Sequence, residues 1–235
     1  MFEVIGLDAD DTLWENESYY RRGRELFDRL LANYPVDLDV EAFVHDLEIR
    51  NLDAYGYGAA GFILSLIEAA DALTKGRFTS QDTVRLIDHL KEMLTAKVQL
   101  LPGASELVTT LAETHRLVLI TKGDLRHQRM KVDDSGLAVH FERVEIVSEK
   151  SPAVYGRIIA DFNVEPGNFL MVGNSLRSDI LPVLEIGAWG LYVPNELTWS
   201  HETLEDLPLH EPRFAEAATL NDVPGLVEAL EVHDE

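Results

Sequence analysis

Five short apolar runs, alternating over most of the chain with stretches of helical spacing, constrain this sequence more than any other feature. They are residues 3–7 (EVIGL), 116–121 (RLVLIT), 143–148 (RVEIVS), 168–173 (NFLMVG) and 189–194 (WGLYVP). Each is brief and apolar, and several are β-branched, which suits strands buried on both faces. Helical patterns occupy 103–114, 124–135, 151–162 and 176–187, bounded by Gly, Asp, Ser or Pro where helices begin and end. The alternation predicts an α/β fold: a doubly wound parallel sheet with helices on both faces. Ligands of such sheets sit beyond the carboxyl ends of the strands, so the residues that follow each run are where chemistry is expected.

Between residues 16 and 96 the alternation stops. Four helical patterns follow one another there, near 17–33, 39–53, 59–74 and 79–95, with turns at Tyr34-Pro35, at 56–61 and at Gly76. This predicts an inserted α-helical domain at 16–96 and a core built from 1–15 and 97–235. No internal repeat or low-complexity tract interrupts either part.

The first run ends in GLDADDTLW, which places Asp8, Asp10 and Asp11 within four residues. Carboxylates two apart on a loop can divide a reaction between them, one attacking or binding metal and the other moving a proton. Taken alone, the same cluster also suits a helix cap or a solvated loop. The order of further residues adds to it. DADDTLW resembles the DxDxT signature of the haloacid dehalogenase superfamily. In the order of that family's motifs, Thr121 ends the second run in LITKGD, and Lys150 follows the third in SEKSPAVY. After the fourth run, VGNSLRSDI resembles a GDxxxxD motif with Asn174 in place of the first acid and Asp179 retained. The four ordered matches cover roughly residues 1–14 and 97–195.

The resemblance implies a Rossmann-like core with a helical cap inserted after the first motif. It further implies a hydrolase, most simply a Mg²⁺-dependent phosphatase of small phosphorylated metabolites. Asp8 would be the nucleophile that forms an aspartyl-phosphate, and Asp10 the general acid and base. Thr121, Lys122 and Lys150 would hold the phosphoryl group. Asp8, the Asp10 backbone carbonyl, Asn174 and Asp179 would hold Mg²⁺, with Asn174 offering an oxygen but no charge. The same fold also serves dehalogenases, phosphonatases and phosphomutases, and a catalytically silent binding module would retain it too. A dehalogenase needs the second aspartate less, and a phosphonatase would recruit a cap lysine, for which Lys75, Lys91 and Lys97 are the few candidates.

Charge and composition narrow the partners. Forty-two acids against 20 bases give a net charge of −22, which repels nucleic acid and anionic membranes. A phosphate dianion entering such a field needs local cations, and Mg²⁺, Lys150 and Lys122 are the candidates. The absence of cysteine excludes thiolate chemistry and disulfides and fits a reducing compartment. With no signal peptide or anchor recognised at the start of the chain, a cytoplasmic location is expected. The eight histidines show no metal-ligand spacing, although His201 near Trp199 stands close to the last strand. The segment GDLRHQRMK (123–131) reads as a solvated helix. Substrate identity and oligomeric state stay open.

Overall fold

Six parallel strands form one sheet in the computed structural model, which describes residues 1–202 and 208–233. They are β1 (Val4–Leu7), β2 (Arg116–Lys122), β3 (Arg143–Val147), β4 (Phe169–Gly173), β5 (Trp189–Tyr192) and β6 (Phe214–Glu216), in the order β3-β2-β1-β4-β5-β6. The helices are α1 (Glu17–Leu31), α2 (Val40–Tyr55), α3 (Ala59–Thr74), α4 (Ser80–Thr95), α5 (Ala104–Ala112), α6 (Leu125–Ser135), α7 (Pro152–Phe162), α8 (Leu181–Glu185) and α9 (Val223–His233). The chain separates into two compact units, Met1–Glu17 with Val98–Glu235, and Ser18–Lys97.

The four central strands, β2, β1, β4 and β5, are buried on both faces by side chains that alternate along them. Ile5, Leu7, Leu117, Leu119, Leu170, Val172 and Leu191 pack with Leu107, Val108 and Leu111 of α5 and with Val223 and Val227 of α9. Val4, Val118, Ile120, Phe169 and Met171 point the other way, against Tyr155, Ile158, Ile159 and Phe162 of α7 and Val183 of α8. Strand period and burial on two faces are therefore one observation. The helical unit has its own core, in which Phe27, Leu30, Val44, Ile63, Leu66, Leu86 and Met93 meet. Asp39 caps α2 and Thr79 caps α4, each accepting a backbone N–H three residues on.

Two parts differ from the sequence expectation. The stretch 176–187 is a single π turn, Leu176–Ile180, followed by the short α8, because Pro182 lacks the N–H that a continuous helix would use. The edge strand β6 is only three residues long, too short to show a period, and α9 follows it. No described helix is long and apolar enough to cross a membrane.

β1 lies between β2 and β4, and both neighbours start crossovers that leave in opposite directions along the sheet. The chain just beyond Leu7 thus stands at the switch point of the sheet, where a crevice opens at the strand ends.

Candidate active site

Asp8 is the first residue past β1, and its N–H still bonds to Val172 O of β4 at 2.9 Å. Its carboxylate is buried and takes two side-chain donors. Lys150 Nζ gives one bond to Oδ1 at 2.5 Å, and Thr12 Oγ1 gives the other to Oδ2 at 2.8 Å. Lys150 arrives from the loop between β3 and α7, whose N-terminus is capped by Ser151. Its second bond, 2.6 Å, goes to Asp179 Oδ1 on the π turn after β4. Asp179 Oδ2 accepts the Ser175 N–H at 3.0 Å. The approach of Asp179 to β4 requires a glycine at 173, where an added Cβ would meet the Asp179 carboxylate oxygen.

This cluster holds two carboxylates for one ammonium, all buried. Burial pushes the Asp179 carboxyl up to about 7, against the pull of Lys150 and with the push of Asp8. Burial alone would lower Lys150, but the charges of Asp179 and Asp8 outweigh it and hold the ammonium well above its ordinary range. Both shifts are upward, so one disfavours the ion pair from the acid's side while the other favours it from the lysine's. They agree once the lysine is shared: it stays charged, and the second acid is left short of compensation by one positive charge.

Thr12 joins the cluster to the fourth strand. It accepts the Asn174 N–H at 3.1 Å, and its hydroxyl also stands 3.1 Å from Asn174 Oδ1. One hydroxyl has one proton, and the shorter contact gives it to Asp8. The Asn174 amide oxygen is thereby left beside the Asp8 carboxylate, while Asn174 Nδ2 donates to Thr198 Oγ1 at 3.0 Å. These converging oxygens fit a hard divalent cation. Among the described residues no group of three His, Asp or Glu side chains could enclose a metal, so a cation here would rely on amide, backbone carbonyl and water oxygens as well. Mg²⁺, which keeps much of its hydration, suits that donor set.

Asp10 is wired separately. Trp14 Nε1 donates to Oδ1 at 2.6 Å, Gln128 Nε2 to Oδ2 at 2.9 Å, and Lys131 Nζ to both oxygens at 2.7 and 2.6 Å. Burial would raise this carboxyl, but the Lys131 charge and the bonds from Lys131, Gln128 and Trp14 prevail and hold it below the usual carboxylate range. Asp11 turns away and caps α1, accepting the N–H groups of Asn16 and Glu17 from a left-handed backbone at φ 63°.

A third cluster surrounds Glu202. Lys122 Nζ donates to its Oε1 at 2.5 Å and to Ser178 Oγ at 2.7 Å, and the hydroxyls of Ser175 and Ser178 both donate to its Oε2 at 2.5 Å. Burial opposes ionisation of Glu202, but Lys122 and the two serines hold it low. Asn195 Nδ2 donates to Asp11 O at 2.9 Å, so the segment after β5 returns across the strand ends.

Of the residues singled out from sequence, the fold thus brings Asp8, Lys150 and Asp179 into direct contact, with Asn174 joined to them through Thr12. Thr121 is buried two residues past Leu119, the register partner of Leu7, and its hydroxyl makes no hydrogen bond among the described residues. Asp179, like Asp8, has both oxygens engaged by internal donors, and Asn174 offers its amide oxygen through the same Thr12 that binds Asp8. One expectation changes. The helix over 123–131 is not simply solvated, because Gln128 and Lys131 are buried against Asp10. Lys122 pairs with Glu202, and the His201 ring lies 4.9 Å from that of Trp199. Sequence reasoning passed over Gln128, Lys131 and Glu202, and it quoted Thr12 as the last residue of the DxDxT signature without giving it a role. The spacing i, i+3 of Gln128 and Lys131 was the one available signal that they share a helix face.

Known proteins resemble the chain along most of its length. It is 25% identical over 195 residues to N-acylneuraminate-9-phosphatase of Homo sapiens, covering 78% of this chain and 79% of that protein. It is 28% identical over 202 residues to the pyrimidine 5'-nucleotidase YjjG of Escherichia coli, covering 79% and 83%. The crystal structure of a haloacid dehalogenase-like family hydrolase from Xanthomonas campestris superposes with a TM-score of 0.87 at 40% identity, over 99% of this chain and 93% of the other. The family model for haloacid dehalogenase-like hydrolases matches residues 2–187, and with the parallel sheet and the ordered strand-end residues it establishes that this chain belongs to that family.

Proposed function

We propose that the protein is a Mg²⁺-dependent phosphatase of small phosphorylated metabolites, with Asp8 as nucleophile and Asp10 as general acid and base. The observation that carries this reading is the separate wiring of two aspartates two positions apart. Asp8 is held by Lys150 and Thr12, and Asp10 by Lys131, Gln128 and Trp14. Two carboxylates in distinct environments can take distinct roles. A reaction that expels an oxygen leaving group needs a nucleophile and a proton donor together, whereas displacement of halide from carbon has no leaving oxygen to protonate. The phosphatase and nucleotidase among the relatives support the same class.

In this mechanism Asp8 Oδ attacks phosphorus, the bond to the leaving oxygen breaks, and the phosphoryl group rests on Asp8. Asp10 gives its proton to the leaving oxygen. It then takes one from the water that attacks phosphorus, releasing inorganic phosphate and regenerating Asp8. Approach of the phosphate dianion favours the protonated form of Asp10 needed for the first step, since a nearby negative charge raises a carboxyl. Lys150 offsets charge on Asp8 and on the phosphoryl oxygens, with Thr121 and Lys122 on the neighbouring strand end. Asp8, the Asp10 backbone carbonyl, the Asn174 amide oxygen and Asp179 would hold Mg²⁺. When bound, the ion supplies positive charge to the phosphoryl oxygens. The core in this reading is 1–15 with 97–235, and residues 16–96 form a cap that selects the substrate.

Release of inorganic phosphate from 4-nitrophenyl phosphate and from a panel of metabolite phosphates tests the proposal. Activity that requires Mg²⁺ and disappears in Asp8→Asn is expected. Equal turnover with and without the Asp8 carboxylate would overturn it.

A further inference from the structure

Lys131 and Gln128 have no part in the steps above, yet both are buried and both are directed at Asp10. They lie three residues apart on α6, whose N-terminus is capped by Asp124. The ammonium of Lys131 bonds to both oxygens of Asp10 and stands 3.2 Å from Asn16 Oδ1, so its donors converge on one corner of the site. Gln128 gives one N–H to Asp10 Oδ2 and the other to Lys122 O at 2.8 Å, tying Asp10 to the end of β2. Its own Oε1 is buried with no partner.

Stability does not account for this arrangement. A buried ion pair recovers its desolvation cost poorly compared with apolar side chains of the same size. An immobilised lysine also gives up rotamer freedom worth up to about 2 kcal/mol, and a buried amide oxygen without a donor adds a further penalty. What the arrangement does achieve is to fix one carboxylate. With Trp14, three side chains make four hydrogen bonds to Asp10, on both of its oxygens.

We propose that Lys131 and Gln128 are positioning residues for proton transfer: they aim the Asp10 carboxyl at the leaving-group oxygen. The proposal rests on the reading of Asp10 as the acid. Its consequence depends on the leaving group. A phenolate stabilised by a nitro group departs without a proton, whereas an alkoxide does not, so misplacing the acid harms an alkyl ester far more than an aryl one.

The test compares kcat/KM, which reports the steps up to loss of the leaving group, for 4-nitrophenyl phosphate and for the best alkyl phosphate of the wild-type enzyme. Lys131→Met keeps length and apolar bulk while removing the ammonium. We expect its kcat/KM on the alkyl ester to fall at least about tenfold more than on the aryl ester, within the range that general acids contribute. Lys131→Arg, which can bind a carboxylate through two N–H groups, should recover most of that difference. Gln128→Leu should shift the ratio the same way by a smaller factor, and it keeps the test decisive where Lys131→Met does not fold.

Equal losses on the two esters, or no loss, would assign these residues to the fold alone and overturn the proposal. Asp10→Asn separates the two levels of the argument. A leaving-group-dependent loss in Asp10→Asn with an unchanged ratio in the Lys131 and Gln128 variants rejects the positioning role alone. A wild-type enzyme that hydrolyses neither ester, or an Asp10→Asn variant with equal losses on both, rejects the acid assignment and the positioning role together.

Discussion

Replacing Lys150 with methionine keeps the length of the side chain and removes the one cation that two buried carboxylates share. Lys150 stands 2.5 Å from Asp8 and 2.6 Å from Asp179. Deleting one member of a buried pair costs about 3–5 kcal/mol, because the remaining charge is left uncompensated. Two acids lose their partner here, so the upper part of that range is expected once both are ionised. In a chain of this length each kcal/mol lowers Tm by roughly 2–4 °C, which gives a fall of about 10–20 °C in alkaline buffer.

The pH dependence provides the sharper check. Burial already raises the Asp179 carboxyl from 3.8 to about 7 while Lys150 pulls it down and Asp8 pushes it up. A carboxyl raised in the folded state contributes stability that is complete below its unfolded value and lost as pH rises through the folded value. Wild-type protein therefore loses this contribution between about pH 4 and pH 7. Without Lys150 the folded value climbs further, so the variant goes on losing stability above neutrality, and its gap to wild type widens with pH. Urea unfolding in EDTA at mildly acidic, neutral and alkaline pH measures that gap. Trp14, Trp189 and Trp199 all belong to the core unit, so their fluorescence reports its unfolding. Subtracting variant from wild type cancels groups that titrate alike in both. A gap that stays constant with pH, or that is under about 1 kcal/mol in alkaline buffer, as for an exposed pair, would refute the shared-cation account.

Two further substitutions probe the neighbouring clusters. Asn174→Asp puts an acid where only an amide oxygen now stands beside Asp8, so half-saturation by Mg²⁺, followed as a thermal shift against MgCl₂, should need about tenfold less metal, or ~1.4 kcal/mol; unchanged Mg²⁺ dependence would move the cation away from residue 174. Glu202→Leu removes the carboxylate that takes bonds from Lys122 and from the hydroxyls of Ser175 and Ser178, and a loss of about 2–4 kcal/mol in urea unfolding is expected, as for a broken buried pair. Wild-type stability in that variant would mean that the segment after β5 contributes nothing to holding the 174–178 turn.

The elements of the sheet were legible because their signal is local. Val118 and Ile120 face one side of β2 and Leu117 and Leu119 the other, so four adjacent residues already state a strand buried on both faces. Asp8 and Thr121 were legible for a topological reason, since they stand at the ends of runs read as parallel strands, and parallel strands present their ends to one crevice. Lys150 and Asp179 were singled out by the resemblance to the family's ordered motifs. Glu202 carried no such mark. It lies 27 residues beyond Ser175 in a stretch without periodicity, and only the return path of the chain brings the two together.

The helix α6 is the more instructive case. LRHQRMKVDDS is polar nearly all round, and a polar pattern reads as a solvated face because hydrophobic periodicity registers only apolar burial. Yet α6 is the crossover between β2 and β3, adjacent parallel strands, and a crossover helix has to lay one face against the sheet. With few apolar residues to offer, that face had to be polar, and a buried polar face has to meet complementary groups. Arg126 and Arg129 remain exposed, whereas Gln128, Lys131 and Val132 turn inward, and the group that Gln128 and Lys131 meet is the Asp10 carboxylate. A polar crossover helix with a buried face is thus itself a pointer to a site, since such a face needs polar or charged groups to meet it.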